Sequence, residues 1–106
     1  MRLQNVERGD RLSSKVLYAF VRLVWQRGVK PMIARRLRDL GSALRAQADY
    51  GEAIACYTQA IALFAELQEP IQQAVTQMNL GNIYAQLGQL AEAIELYQLA
   101  EPLFQK

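Results

Sequence analysis

The chain has 106 residues, 52% of them hydrophobic and 21% charged, a balance that suits one folded domain with a modest core and excludes a disordered tail. One cysteine, Cys56, and no histidine exclude an internal disulfide and remove the commonest general base and metal ligand. The net charge of +2 is unevenly spread: residues 1–45 carry eleven bases against three acids, a balance of +8, and residues 46–106 carry Lys106 against seven acids, a balance of −6. Such a division points to a partner, or to contact between copies of the chain.

The first segment, residues 1–30, holds a helical pattern from Arg11 to Arg27, with Asp10 as the expected N-cap and Gly28 and Pro31 as stop signals. Arg11, Lys15, Tyr18, Arg22 and Gln26 make a polar stripe, and Val16, Leu17, Phe20, Val21, Leu23 and Val24 a broad apolar face. The run Val16 to Trp25 is interrupted by Arg22 and falls well short of the roughly 18–20 apolar residues that span a bilayer. Gln26-Arg27-Gly28-Val29-Lys30 offers no small-residue cleavage site, so the segment is expected to be retained and the protein cytoplasmic. The plain expectation is a helix that packs on the rest of the chain as an N-terminal cap. The sharper one is a basic amphipathic helix at a membrane surface, with Lys15, Phe20, Arg22 and Trp25 as its contacts. A third is exchange between protomers of a homo-oligomer.

From residue 31 onward the sequence repeats. A shift of forty positions places Leu40-Gly41 on Leu80-Gly81, Glu52-Ala53-Ile54 on Glu92-Ala93-Ile94, Tyr57 on Tyr97, Ala60 on Ala100 and Leu63-Phe64 on Leu103-Phe104. Each unit, residues 31–69 and 70–106, reads as two antiparallel helices. The first helix is expected over Met32–Gln47, with Leu37, Leu40, Gly41 and Leu44 at helical spacing. Asp49 and Glu52 have the spacing of a capping box for a second helix reaching Gln68, which buries Ala53, Ile54, Tyr57, Ile61 and Phe64. Pro70 suits the first turn of a third helix, expected to reach Leu87, and Gly88 suits a left-handed residue after it. A fourth is expected over Leu90–Phe104. Gly41, Gly81, Ala53 and Ala93 permit close helix approach, with Tyr57 and Tyr97 filling the space between.

This pattern resembles the tetratricopeptide repeat: small-Leu-Gly-x-x-aromatic in one helix, then Glu-Ala-Ile-x-x-Tyr-x-x-Ala in the next, over roughly residues 32–104. The period of forty exceeds the usual spacing of about 34 residues and is similar to the longer-helix variety found in kinesin light chains and cell-polarity adaptors. Ala48 stands where the first unit would carry a turn glycine, and Pro102 comes early. The resemblance implies an all-α fold, an α-α superhelix of two helix-turn-helix repeats preceded by one helix, acting as a protein-protein interaction scaffold or adaptor.

In this family the first helix of each unit lines the concave surface. That implies Arg35, Arg38, Ser42 and Arg45 in the first unit and Met78, Asn82 and Ala85 in the second as groove positions. Three arginines suit an acidic protein or peptide, because guanidinium pairs bidentately with carboxylate. Chaperone-binding members hold a terminal carboxylate with a base three before the first glycine, an asparagine after it and another two before the second. Arg38 and Asn79 match; Ser42 departs, and the third repeat that would add two bases is not found in this sequence. A complete clamp is therefore not expected within one chain.

No phosphate loop, metal spacing or catalytic constellation is present, so neither enzyme activity nor a cofactor is expected. Cys56 lies mid-helix as a small packing residue, and Glu92 and Glu95 read as a solvated pair. The basic half raises nucleic acid as a rival partner, but the acidic half and the lack of any recognised motif argue against it.

Overall fold

In the computed structural model the backbone is described for residues 10–105 and side chains for residues 14–105. Among the described residues five α-helices run in chain order: α1 Asp10–Val24, α2 Lys30–Ala46, α3 Tyr50–Glu66, α4 Pro70–Gln86 and α5 Leu90–Phe104. A π-helical turn, Trp25–Val29, follows α1. The chain divides into two compact units, Met1–Lys30 and Pro31–Lys106.

Within the first unit the expected stop at Gly28 does not occur. Gly28 lies inside the π turn, where the Lys30 N–H donates to the Trp25 carbonyl five residues back, so the wider ring absorbs the residue that was expected to end the helix. Pro31 ends nothing either, because it sits in the first turn of α2, where its missing N–H forfeits no intrahelical bond. Among the described residues of α1 the large apolar side chains are exposed, as is Trp25 after it: Val16, Leu17, Tyr18, Phe20, Val21, Leu23, Val24 and Trp25 range from 43% to 69%. The capping role of the Asp10 side chain and the place of Arg11 in the polar stripe lie outside the described residues.

The second unit follows the expected hairpins closely. Three connections of equal length join its helices, and each closes in the same way. Ala48, Gln68 and Gly88 take positive φ of 63°, 56° and 79°. The next N–H then reaches back over the helix end: Asp49 to Leu44 at 2.8 Å, Glu69 to Phe64 at 3.0 Å and Gln89 to Tyr84 at 2.8 Å. These are Schellman closures, with the left-handed residue at C′. They also explain why the capping box fails. The Asp49 N–H that Glu52 would bond is already held by Leu44, and Asp49 makes no side-chain cap hydrogen bond.

Two aromatic residues set the helix spacing. A β-carbon on Gly41 would stand 2.9 Å from Cδ1 and Cε1 of Tyr57, and one on Gly81 would stand 2.8 Å from Cε1 of Tyr97. Tyr57 is buried with Ala53, Leu80 and Ile83, and Leu44, Tyr50, Ile54, Ile61, Tyr84 and Leu96 pack around them. A second cluster joins Ala34, Ala60 and Phe64 with Leu37, Leu63 and Leu67. Of the five core positions expected on α3, Ala53, Tyr57 and Phe64 are buried and Ile54 and Ile61 half-buried. Leu40, expected in the same apolar stripe as Leu37 and Leu44, is instead half exposed, at 50%. Its repeat equivalent Leu80 belongs to the cluster between α3 and α4, whereas Leu40, on the first helix of the unit, joins neither buried cluster.

Left-handed backbone costs a β-carbon-bearing residue about 1–2 kcal/mol. Ala48→Gly is therefore expected to raise unfolding free energy by up to about 1 kcal/mol, and Gly88→Ala to lower it by a similar amount, as read by urea denaturation. Gly81→Ala is expected to cost about 1–3 kcal/mol through overpacking. Adding Tyr97→Leu should cost less than the sum of the two single changes; strict additivity would mean that the two residues do not press on each other.

Candidate partner-binding face

Helices α2 and α4 are the first helices of the two repeats, and polar residues of the two meet at two points. Arg38 Nη1 donates to Gln72 Oε1 on α4, and Arg45 Nε donates to Gln86 Oε1 at 3.2 Å. Two of the four arginines of α2 are thus steadied by neutral amides of α4. Arg38 has one carboxylate neighbour, Asp39, with an Nη2 to Oδ1 separation of 3.4 Å and the acid two-thirds exposed. Its guanidinium also lies 5.9 Å from the centroid of the Phe64 ring, a cation-π distance.

The residue after each glycine is tied to the tyrosine beneath it. Ser42 Oγ and the Tyr57 hydroxyl are 2.8 Å apart, and Ser42 Oγ also donates to the Arg38 carbonyl at 3.2 Å. In the second repeat the Tyr97 hydroxyl donates to Asn82 Oδ1. The tyrosines therefore serve two ends: the ring fills the gap over glycine, and the hydroxyl holds the polar side chain at the surface. Only the first was visible in the sequence. The signal for the second was present, since Ser42 and Asn82 occupy equivalent positions fifteen residues before Tyr57 and Tyr97. Gln72 and Gln86 carried no comparable signal.

Ser42, Arg45, Ala46, Tyr57 and Gln86 line an open depression of about 330 Å³. Arg35 lies apart, lining a second depression of about 370 Å³ with Glu69, Pro70, Ile71 and Gln72. Gln72, which lines the second, is also the acceptor for Arg38, so Arg38 stands beside it. Asn79 and Asn82 are half-buried, and neither lines these depressions. Ser42, Arg38 and Arg45 are thus gathered on one face, Arg35 at its edge, and the asparagines toward the second repeat.

The electrostatics are one-sided. Helix α2 carries Lys30, Arg35, Arg36, Arg38 and Arg45 against Asp39, and α4 carries no charged residue at all. Cys56 is half-buried. Among the described residues no group of three or more histidine, cysteine, aspartate or glutamate side chains could hold a metal ion. No helix among them is long and apolar enough to cross a membrane.

A family model, the tetratricopeptide repeat, matches residues 32–106. No curated protein and no solved structure shows a significant match. The matched span contains both hairpins with their Gly41–Tyr57 and Gly81–Tyr97 packing, and on it the chain belongs to the tetratricopeptide-repeat family, a non-catalytic scaffold type whose repeats mediate protein–protein interaction.

Proposed function

We propose that the α2–α4 face holds an acidic segment of a partner protein, and that the chain works as a cytoplasmic adaptor with no catalytic role of its own. The observation that carries this reading is the pairing of Arg38 and Arg45 with Gln72 and Gln86. The glutamines hold the guanidinium groups in place without neutralising them. A carboxylate that arrives there replaces a neutral acceptor by a charged one, and charge-assisted hydrogen bonds are roughly twice as strong. Because the arginines are already positioned, less side-chain entropy is lost on binding. Arg35 extends the charge along the segment. The Asn82 carbonyl accepts from Tyr97, which leaves its two amide protons for a partner's backbone. Asn79 and Ser42 supply further polar contacts.

Nucleic acid fits this face poorly. Phosphate binding draws on bases spread along a track, and α4 supplies none.

Capture from native lysate tests the reading. Wild-type chain should retain a partner that Arg35→Glu/Arg38→Glu/Arg45→Glu loses by about tenfold or more, with both chains equally helical by circular dichroism. Capture of the same set by both chains would remove the face from consideration.

A second reading rests on α1. Phe20, Val21, Val24, Trp25 and Val29 line an apolar recess of about 210 Å³, and Lys15, Arg22 and Arg27 are exposed on the same segment. Exposed aromatic and aliphatic side chains beside bases are what an interfacial helix uses on anionic lipid. In vesicle flotation with a phosphatidylserine-containing bilayer the chain is expected to float, and Phe20→Glu/Trp25→Glu to remain at the bottom. Failure of the wild type to float ends this reading.

A further inference from the structure

The interface between the two repeats is made once inside the chain, and its two halves are left open at the ends. On α3, Tyr50, Ile54 and Ile61 are half-buried around the cluster that contains Leu80 and Ile83 of α4. Forty positions on, their counterparts on α5 are Leu90, Ile94 and Glu101, and all three are exposed, the first two at 60% and 53%. The covering side behaves in the same way. Thr76, Leu80 and Ile83 of α4 are buried, whereas their counterparts on α2, Arg36, Leu40 and Ala43, are exposed. One end of the repeat unit thus presents the receiving half of the interface and the other end the covering half.

The charges match across these halves. Helix α2 has five bases and one acid; α5 has Glu92, Glu95 and Glu101 and no base. Counting outward from the α3–α4 turn in antiparallel register sets Tyr57 level with Leu80, Ile54 with Ile83 and Ile61 with Thr76, and all of these but Thr76 belong to or pack on one cluster. Transferred by forty positions, the same register sets Tyr97 against Leu40, Ile94 against Ala43, and Glu101 against Arg36. The apolar pairs stay apolar, and the one altered pair becomes an acid facing a base.

We infer that the exposed face of α5 receives α2 of a second copy of this chain, so that the repeats of successive molecules stack head to tail with Glu101 beside Arg36. The contact is heterologous, and a dimer formed by it keeps one free α2 face and one free α5 face, so growth continues past the dimer until a ring closes or the supply of chains ends. Arg36 is not one of the residues assigned above to the partner face, so this inference stands or falls apart from that reading.

Sedimentation velocity on the full chain over a wide concentration range tests it. The wild type is expected to show an average mass that rises past twice the monomer. Arg36→Glu alone and Glu101→Arg alone should each weaken association by about tenfold or more, because each sets like charges against one another. An equimolar mixture of the two should recover it, since one variant keeps an intact α5 and the other an intact α2. Ile94→Asp, an exposed position, should stay monomeric and fully helical. A wild type that is monomeric throughout would overturn the inference. So would a mixture that fails to recover, or association that survives Ile94→Asp but is lost in Phe20→Glu/Trp25→Glu, which would assign the contact to α1.

Discussion

The ring of Tyr57 lies where a β-carbon on Gly41 would have to be, and the ring of Tyr97 does the same over Gly81. Ridge-into-groove packing leaves little tolerance at such a point: any side chain larger than hydrogen would push the two helices of a repeat apart. With both helices drawn together, the tyrosine hydroxyls reach Ser42 and Asn82, and the polar face above the tyrosines acquires its geometry. The same approach brings Leu80 and Ile83 onto Ala53 and Tyr57, which joins the first repeat to the second. Loss of the glycine–ring contact would therefore disturb the surface as well as the core.

Charge is arranged on top of that frame rather than within it. Helix α2 is strongly basic, α4 is neutral and α5 is acidic. The neutral helix α4 offers the bases of α2 no carboxylate, and the amides of Gln72 and Gln86 hold two of them in position. On the proposed reading, such a surface favours a partner that brings carboxylates. The proposed partner binding and the inferred self-association draw on different residues of α2, with Arg38 and Arg45 on one side and Arg36 and Leu40 on the other.

Most of the fold was legible because the repeat carries it twice. Gly41 and Gly81, Ala53 and Ala93, and Tyr57 and Tyr97 keep the same spacing, and the helices Pro70–Gln86 and Leu90–Phe104 begin and end within a residue of the expected limits. What was missed lay where local signals compete. Gly28 and Pro31 are helix breakers by propensity, yet a π turn and a first-turn position accommodate them. Asp49 and Glu52 have capping-box spacing, but the Schellman closure had already taken the backbone N–H that the box requires. Gln68 adopts left-handed backbone without being a residue that favours it. On the candidate face, the positions of the arginines were implied by the family resemblance, but their glutamine partners were not, since a polar pair 34 or 41 residues apart leaves no periodic trace.

The α2–α4 face is tested most directly by titrating isotope-labelled chain with a synthetic acidic peptide ending in a free carboxylate, followed by nuclear magnetic resonance of side-chain groups. Saturable shifts of the Arg38 and Arg45 guanidinium signals are expected, together with the amides of Gln72, Gln86 and Asn82, as carboxylates displace the glutamine acceptors. Residues on the outer side of α5 should stay unmoved. Saturable shifts confined to α1 or α5, or none on α2 and α4, would contradict a binding role for this face.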